Sequence, residues 1–374
     1  MPEIWLPYGD VEIPLEIKTE NIDSVLELET NNVSDDDISE HIEHVKLNNS
    51  QLIIPKLTYN ILRILKILND PKYSESNEFS IVGSNESINY LQKQNLNFKF
   101  DSISNQKQHN LPIVEIINQY KSPIILNEIE FDPVYGVNGG PIDICKLFNS
   151  KEVSESFFID DVILPNSGPP TKHFEHIMSL LKNINDITTI EFVSYGEQIT
   201  KINSGELLQI HNENVKELLN TNKLNIEHSA QGAIISPGKL EPFHTLSNSL
   251  QAIWNCYKTV TPKGPIGLVA ESSFGFGSEA LNLYVHNPPE FNKLLKEKTY
   301  VNGLEDVIFL NNIRKKYDLY LVSSLPQFYQ KEILGFRPAN KINDLLRNII
   351  HNHGKKTEFI ILPFACNVVV EVKI

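Results

Sequence analysis

Short apolar runs alternate with helical patterns along most of the chain. Glu3-Ile4-Trp5-Leu6 and residues 11–17 flank Pro7-Tyr8-Gly9-Asp10, a turn by composition, so the chain is expected to open with two short strands. The acidic stretch Ser34-Asp35-Asp36-Asp37 reads as a helix start, where Ser or Asp caps free amides and carboxylates suit the positive dipole end. It lacks the Asp-x-Asp-x-Asp-Gly spacing of a calcium loop. From residue 50 the alternation becomes regular. Gln51-Leu52-Ile53-Ile54 is a buried-type strand, and Leu57, Ile61, Ile64, Leu65 and Leu68 then recur at a spacing of about 3.6 residues. Residues 79–83 and 123–127 are further strands, and 187–202 reads as a ribbon turning at Ser194-Tyr195-Gly196-Glu197.

A second α/β unit starts near residue 223. Its strands are expected at Gly232-Ala233-Ile234-Ile235-Ser236, 266–270, 319–323, 359–363 and 367–372, and its helix carries Leu246, Leu250, Ile253 and Trp254 on one face. Strand alternating with helix predicts an α/β fold with mostly parallel sheets covered on both faces. The length of 374 residues fits two domains, with a soft boundary near Thr221-Asn222.

Composition narrows the function classes. The chain carries 33 Lys+Arg and 47 Asp+Glu, a net charge of -14. No basic run exceeds Arg314-Lys315-Lys316, so nucleic acid is not an expected partner. No apolar run reaches the roughly 18 residues of a bilayer span, and Met1-Pro2-Glu3-Ile4 is no signal peptide, so no membrane role is expected. The three cysteines, Cys145, Cys256 and Cys366, lie far apart, which fits a reducing cytoplasm.

Ligands of parallel sheets collect at the carboxyl ends of strands, and three loops qualify. In residues 131–141, Gly136, Asn138, Gly139 and Gly140 precede Pro141 and a helical pattern, which places bare amides at a helix N-terminus suited to a phosphate or carboxylate. On that reading Gly139→Val is expected to abolish anion binding without unfolding. In residues 271–280, Gly275, Gly277 and Ala280 meet a weak Gly-x-Gly-x-x-Ala spacing, read as an anion or substrate contact. The third loop, 237–244, can place Lys239, His244, Asn248 and Gln251 towards a cleft. His173 and His176 share a helix face, a spacing open to a metal but commoner as plain helix surface; His351 and His353 sit near a helix end whose dipole favours them.

Several landmarks stand in one order: Leu6-Pro7-Tyr8-Gly9, Gly136-Val137-Asn138-Gly139-Gly140, Gly168-Pro169-Pro170-Thr171-Lys172-His173, Ser236-Pro237-Gly238, Gly275-Phe276-Gly277, and Ile361-Leu362-Pro363 followed by Val368-Val369-Val370-Glu371-Val372. Together they resemble the nickel-dependent lactate racemase family. The resemblance implies two α/β domains with a cleft between them, the final strand returning to the first, hence domains at 1–222 plus 358–374 and at 223–357. It also implies a nickel pincer nucleotide tethered to lysine, histidine on the metal, and further histidines exchanging the proton of a 2-hydroxy acid, since such bases work near neutral pH.

The family loop reads Ser-His-x-x-x-Gly-Phe-Ser-Gly-Gly-Arg-Lys. Here its histidine falls on Asp132, its arginine on Pro141 and its lysine on Ile142, and the next lysine is Lys146. The Asp-His-Thr-Arg-Pro motif is missing near 49–53, and Gly83-Ser84-Asn85 replaces a Gly-x-His loop. Two functions follow as expectations. One is a 2-hydroxy-acid racemase or epimerase, with Asp132 as metal ligand or base, Lys146 as tether and His244 as acid/base. The other is a binding or regulatory protein whose cleft takes a nucleotide or small organic anion, without the cofactor.

Overall fold

Alternation along each strand decides where the cores lie. In the strand Gln51–Ile54, Leu52 and Ile54 join one core while Ile53 joins another. Ile124 and Leu126 divide from Ile125 in the same way, and Ile234 from Ala233 and Ile235. A period of two along a pleated strand gives a sheet two apolar faces, each needing its own cover. The computed structural model describes residues 2–45, 47–70, 79–103, 111–160, 164–184, 187–239 and 242–373. Of the third candidate loop, Leu240 and Glu241 lie outside these.

Two six-stranded sheets organise the molecule. The first runs in the order Gln198–Glu206, Thr188–Tyr195, Pro123–Glu128, Gln51–Ile54, Ser80–Ser84, Lys99–Ile103. Its neighbours are parallel except for the ribbon formed by its first two strands. The second runs Arg337–Ala339, Asp318–Val322, Pro265–Val269, Gly232–Ile235, Phe359–Leu362, Ile22–Val25, parallel throughout. This is the expected α/β architecture with mostly parallel sheets.

The placement of the chain ends differs from expectation. Phe359–Leu362 does not return to the first sheet but lies inside the second, between Gly232–Ile235 and Ile22–Val25. Only Val369–Val372 leaves it, pairing with Lys223–Ile226 in a separate two-stranded ribbon. Both flanking strands give Phe359–Leu362 parallel ladders, and its residues are buried on both faces, the setting a continuous apolar run satisfies best.

The strand order of the second sheet reverses between Gly232–Ile235 and Phe359–Leu362, and the chain itself occupies that point. The opening hairpin, Glu3–Tyr8 paired with Val11–Glu16, packs Leu6 and Leu15 against Ile234, Val269 and Ile361. Its Pro7 carbonyl accepts from Ser236 Oγ at 2.6 Å. Phe364 closes on Gly238, where an added Cβ would meet its ring at 2.9 Å. Gly9 at the hairpin tip, with φ +62, abuts Glu271 so closely that a Cβ would overlap the carboxylate. No helix among the described residues is long and apolar enough to cross a membrane.

Candidate functional site: an acidic cleft at the open switch point

The first sheet also reverses, between Gln51–Ile54 and Pro123–Glu128, and this point is open. Chain order runs outward from Gln51–Ile54 to Lys99–Ile103, then resumes on the other side at Pro123–Glu128. Connections that leave two adjacent strands in opposite directions leave a crevice at their carboxyl ends. Here it is a cleft of about 530 Å³. Pro55, Lys56 and residues 130–133 form one wall, joined by Asp143, Lys146 and Asn149 from the helix Gly140–Leu147 and its exit. The facing wall comes from the second sheet's connections: Ser247, Asn248 and Gln251, then Gly277 and Glu279, then Gly303, Glu305 and Asp306.

Lys146 ties the walls together. Its Nζ lies 2.6 Å from Asp132 Oδ2 and 3.7 Å from Glu305 Oε1, and 5.3 Å from the centre of the Tyr135 ring. Burial opposes its charge, but Asp132 and Glu305 outweigh burial and hold the ammonium well above the usual lysine range. Both Asp132 oxygens are engaged: Oδ1 accepts from the amides of Val134 at 2.7 Å and Tyr135 at 2.8 Å, while Oδ2 accepts from Lys146. Alternation along the strand and its exit sets Glu128, Glu130 and Asp132 two residues apart, and Lys56 pairs with Glu130 at 2.6 Å.

The lining is strongly acidic. Among the described residues, Glu86, Glu130, Asp132, Asp143, Glu279, Glu305 and Asp306 face two lysines, Lys56 and Lys146. Burial pushes the Asp143 carboxyl up to about 7, against the pull of Lys146. Burial and then Glu305 push Asp306 up to about 7, although Ser247 and the Trp254 indole donate to it. Behind the wall, burial and then Glu130 raise Glu128 to about 7, with Thr58 and Ser194 donating to its carboxylate.

The sequence candidates divide. Asp132, Asn138, Lys146, Asn248, Gln251 and Gly277 line the cleft; Gly136, Gly139, Gly140, Gly275, Lys239 and His244 do not. Asn138 closes its own loop, accepting from the Glu130 amide at 3.1 Å. Gln251 donates to Asn255 at 2.6 Å, and Asn248 to the Phe243 carbonyl at 3.4 Å. His244 lies instead beside the hairpin tip, 3.3 Å from Asp10 and 3.5 Å from Tyr59, while Lys239 sits 4.0 Å from Glu197.

The first glycine loop holds protein at its helix N-terminus. The Gly140 amide donates at 2.8 Å to Glu191, a fully buried carboxylate that also meets His211 at 3.2 Å and Asn214 at 3.1 Å. The anion expected at this helix N-terminus is therefore a side chain of the chain itself. A Cβ on Gly139, whose φ is +153, would stand 2.6 Å from the His211 ring and 2.7 Å from Glu191. Gly139→Val is thus a folding mutation, which corrects the expectation that it leaves the fold intact. Gly136 is glycine because the carbonyl of Pro169 lies 2.2 Å from where a Cβ would stand. At the second loop, the Gly275 and Phe276 carbonyls accept from the first amides of the helix Leu246–Cys256.

Glu305 and Asp306 escape sequence reasoning because two acids after a glycine look like an ordinary helix start. Glu130 was within reach: carboxylates at every second residue through a strand exit are unusual for a buried strand. His173 is a packing residue, its Nδ1 2.8 Å from the Ser156 carbonyl and its Nε2 3.5 Å from Asp160.

No family model matches the chain, and no curated protein matches it in sequence. Among solved structures, the lactate racemase apoprotein from Thermoanaerobacterium thermosaccharolyticum superposes with a TM-score of 0.71 at 14% identity, over 99% of this chain and 100% of that one. A protein from Thermotoga maritima superposes with a TM-score of 0.60 at 12% identity, over 93% and 100%. At such identity the likeness shows a shared fold, the lactate-racemase-like arrangement of two parallel-sheet units.

Proposed function

We propose that this chain uses the lactate-racemase-like fold as a ligand-binding cleft and does not perform the nickel-nucleotide chemistry of a 2-hydroxy-acid racemase or epimerase. The observation that carries the reading is Lys146, the residue nearest the family's tether position, held as an ammonium between Asp132 and Glu305. An amine forms a covalent tether only as its neutral form, and this one is kept charged on both sides.

The rest of the nickel pincer nucleotide's requirements fare no better. Both Asp132 oxygens are committed, and among the described residues no three His, Cys, Asp or Glu side chains converge to hold a metal ion. No histidine among those residues lines the cleft, so the histidine pair that the family's proton exchange calls for is missing from it. At the first glycine loop the helix amides that would take a phosphate are bonded within the protein, Gly140 to Glu191 and Ile142 and Asp143 to the Gly139 carbonyl. The residues present do not fit the group.

Co-expression with the enzymes that build the cofactor tests this. Intact mass should show an unmodified chain, metal analysis should find no stoichiometric nickel, and L-lactate should not racemise. A covalent adduct on Lys146 with equimolar nickel overturns the reading.

A further inference from the structure

Two cleft residues carry acceptors that no donor among the described residues satisfies. The Glu130 side chain is 10% exposed; Oε2 accepts from Lys56, and Oε1 is buried without a partner. Asn149 is 9% exposed, in the left-handed region at φ 47, and its Oδ1 is also buried without a partner. Both residues line the cleft. A buried acceptor is normally bonded, so an unmet one marks a donor still to come.

We propose that the cleft takes a small organic cation, a molecule whose ammonium N–H groups reach Glu130 Oε1 and Asn149 Oδ1. The inference rests on the reading of the cleft as a binding site and gives its ligand a sign. A simple carboxylate such as succinate brings acceptors only and would leave both oxygens unmet. It would also face Asp143, Glu279, Glu305 and Asp306 on the same lining. The protein already shows one ammonium received here, since Lys146 rests between Asp132 and Glu305. A bare metal ion is the weaker candidate, because no three ligating side chains converge among the described residues. Asp143 and Asp306, raised by burial to about 7, keep part of their protons when the cleft is empty. A bound cation draws them into the charged form, so binding releases protons and tightens as pH rises from about 6 to 8.

The test compares 1,4-diaminobutane with succinate, equal in chain length and opposite in charge, by calorimetry on the full chain at low salt, with MgCl₂ as a third arm. The diamine should bind about tenfold tighter than succinate. Glu130→Gln, and independently Asn149→Gly, which keeps the left-handed backbone, should each weaken the diamine by about fivefold or more at a temperature where the variant is fully folded. Succinate binding tighter overturns the sign and leaves the cleft reading standing. Binding of neither overturns both. Diamine binding untouched by both substitutions, or displaced by equimolar Mg²⁺, overturns the assignment to these acceptors or to an organic cation.

Discussion

Each six-stranded sheet reverses its strand order once, and a crevice belongs at each reversal. In the second sheet the crevice is filled by the opening hairpin, through the Ser236–Pro7 hydrogen bond and the apolar contacts of Leu6 and Leu15. In the first it stays open, lined by carboxylates and by acceptors that meet no donor among the described residues. The same topology is therefore a packed joint in one sheet and an open crevice in the other, and what separates them is whether the chain supplies its own occupant. If this is right, substitutions at the filled point move stability alone, and substitutions in the open cleft move binding.

The harshest challenge is Gly139→Val. The residue lies beneath the open cleft but touches only buried protein, so the variant should lose roughly 4 kcal/mol or more of stability, measured by urea unfolding. A folded variant of normal stability would reopen the glycine loop as a ligand site. On the filled side, Leu15→Ala removes a fully buried side chain of the hairpin and should cost about 3 kcal/mol, with diamine affinity unchanged. A loss of binding that tracks the loss of stability would erase the distinction between the two points.

Asp306 sharpens the contrast through pH. Burial lifts its carboxyl to about 7, so between roughly pH 4 and pH 7 the folded chain holds a proton that the unfolded chain has released. Stability then falls as pH rises through that window. Asp306→Asn removes the slope and should gain on the wild type between pH 5 and pH 8 by on the order of 2 kcal/mol, followed by urea midpoints at both values. A gain in the opposite direction would mean that Asp306 is ionised in the folded chain. The smallest effect is expected from Asp10→Asn at the hairpin tip. Its side chain is 80% exposed, so its contacts with Tyr59 and His244 should contribute less than about 0.5 kcal/mol to thermal stability.

The strands were legible because their apolar runs are long, continuous and bounded by turns: Gln51–Ile54, Gly232–Ile235 and Phe359–Leu362 all stand out in the sequence. Sheet membership was harder to read. Phe359–Leu362 is equally apolar in either sheet, and only its ladders with Gly232–Ile235 and Ile22–Val25 decide. The cleft was half legible. Asp132 and Lys146 lie 14 residues apart across a strand exit and a helix, so local reasoning found both. Glu305 reaches them from a segment far along the chain, and no local pattern announces it. The glycine loops misled for a related reason. A helix N-terminus calls for negative charge, but the sequence does not say whether a ligand or a distant Glu191 provides it.

The Lys146 bridge has a mechanical side. Asp132 and Lys146 stand on one wall and Glu305 on the other, so the ion pair is a tension member across the mouth. Its pull depends on the medium between the charges. With water excluded the effective dielectric constant is about 20, and once the gap floods it approaches about 80, a roughly fourfold loss of attraction. Parting the walls therefore weakens the force that resists parting, and the jaws soften as they open. Such an element resists parting most at the start and least once the walls have begun to separate.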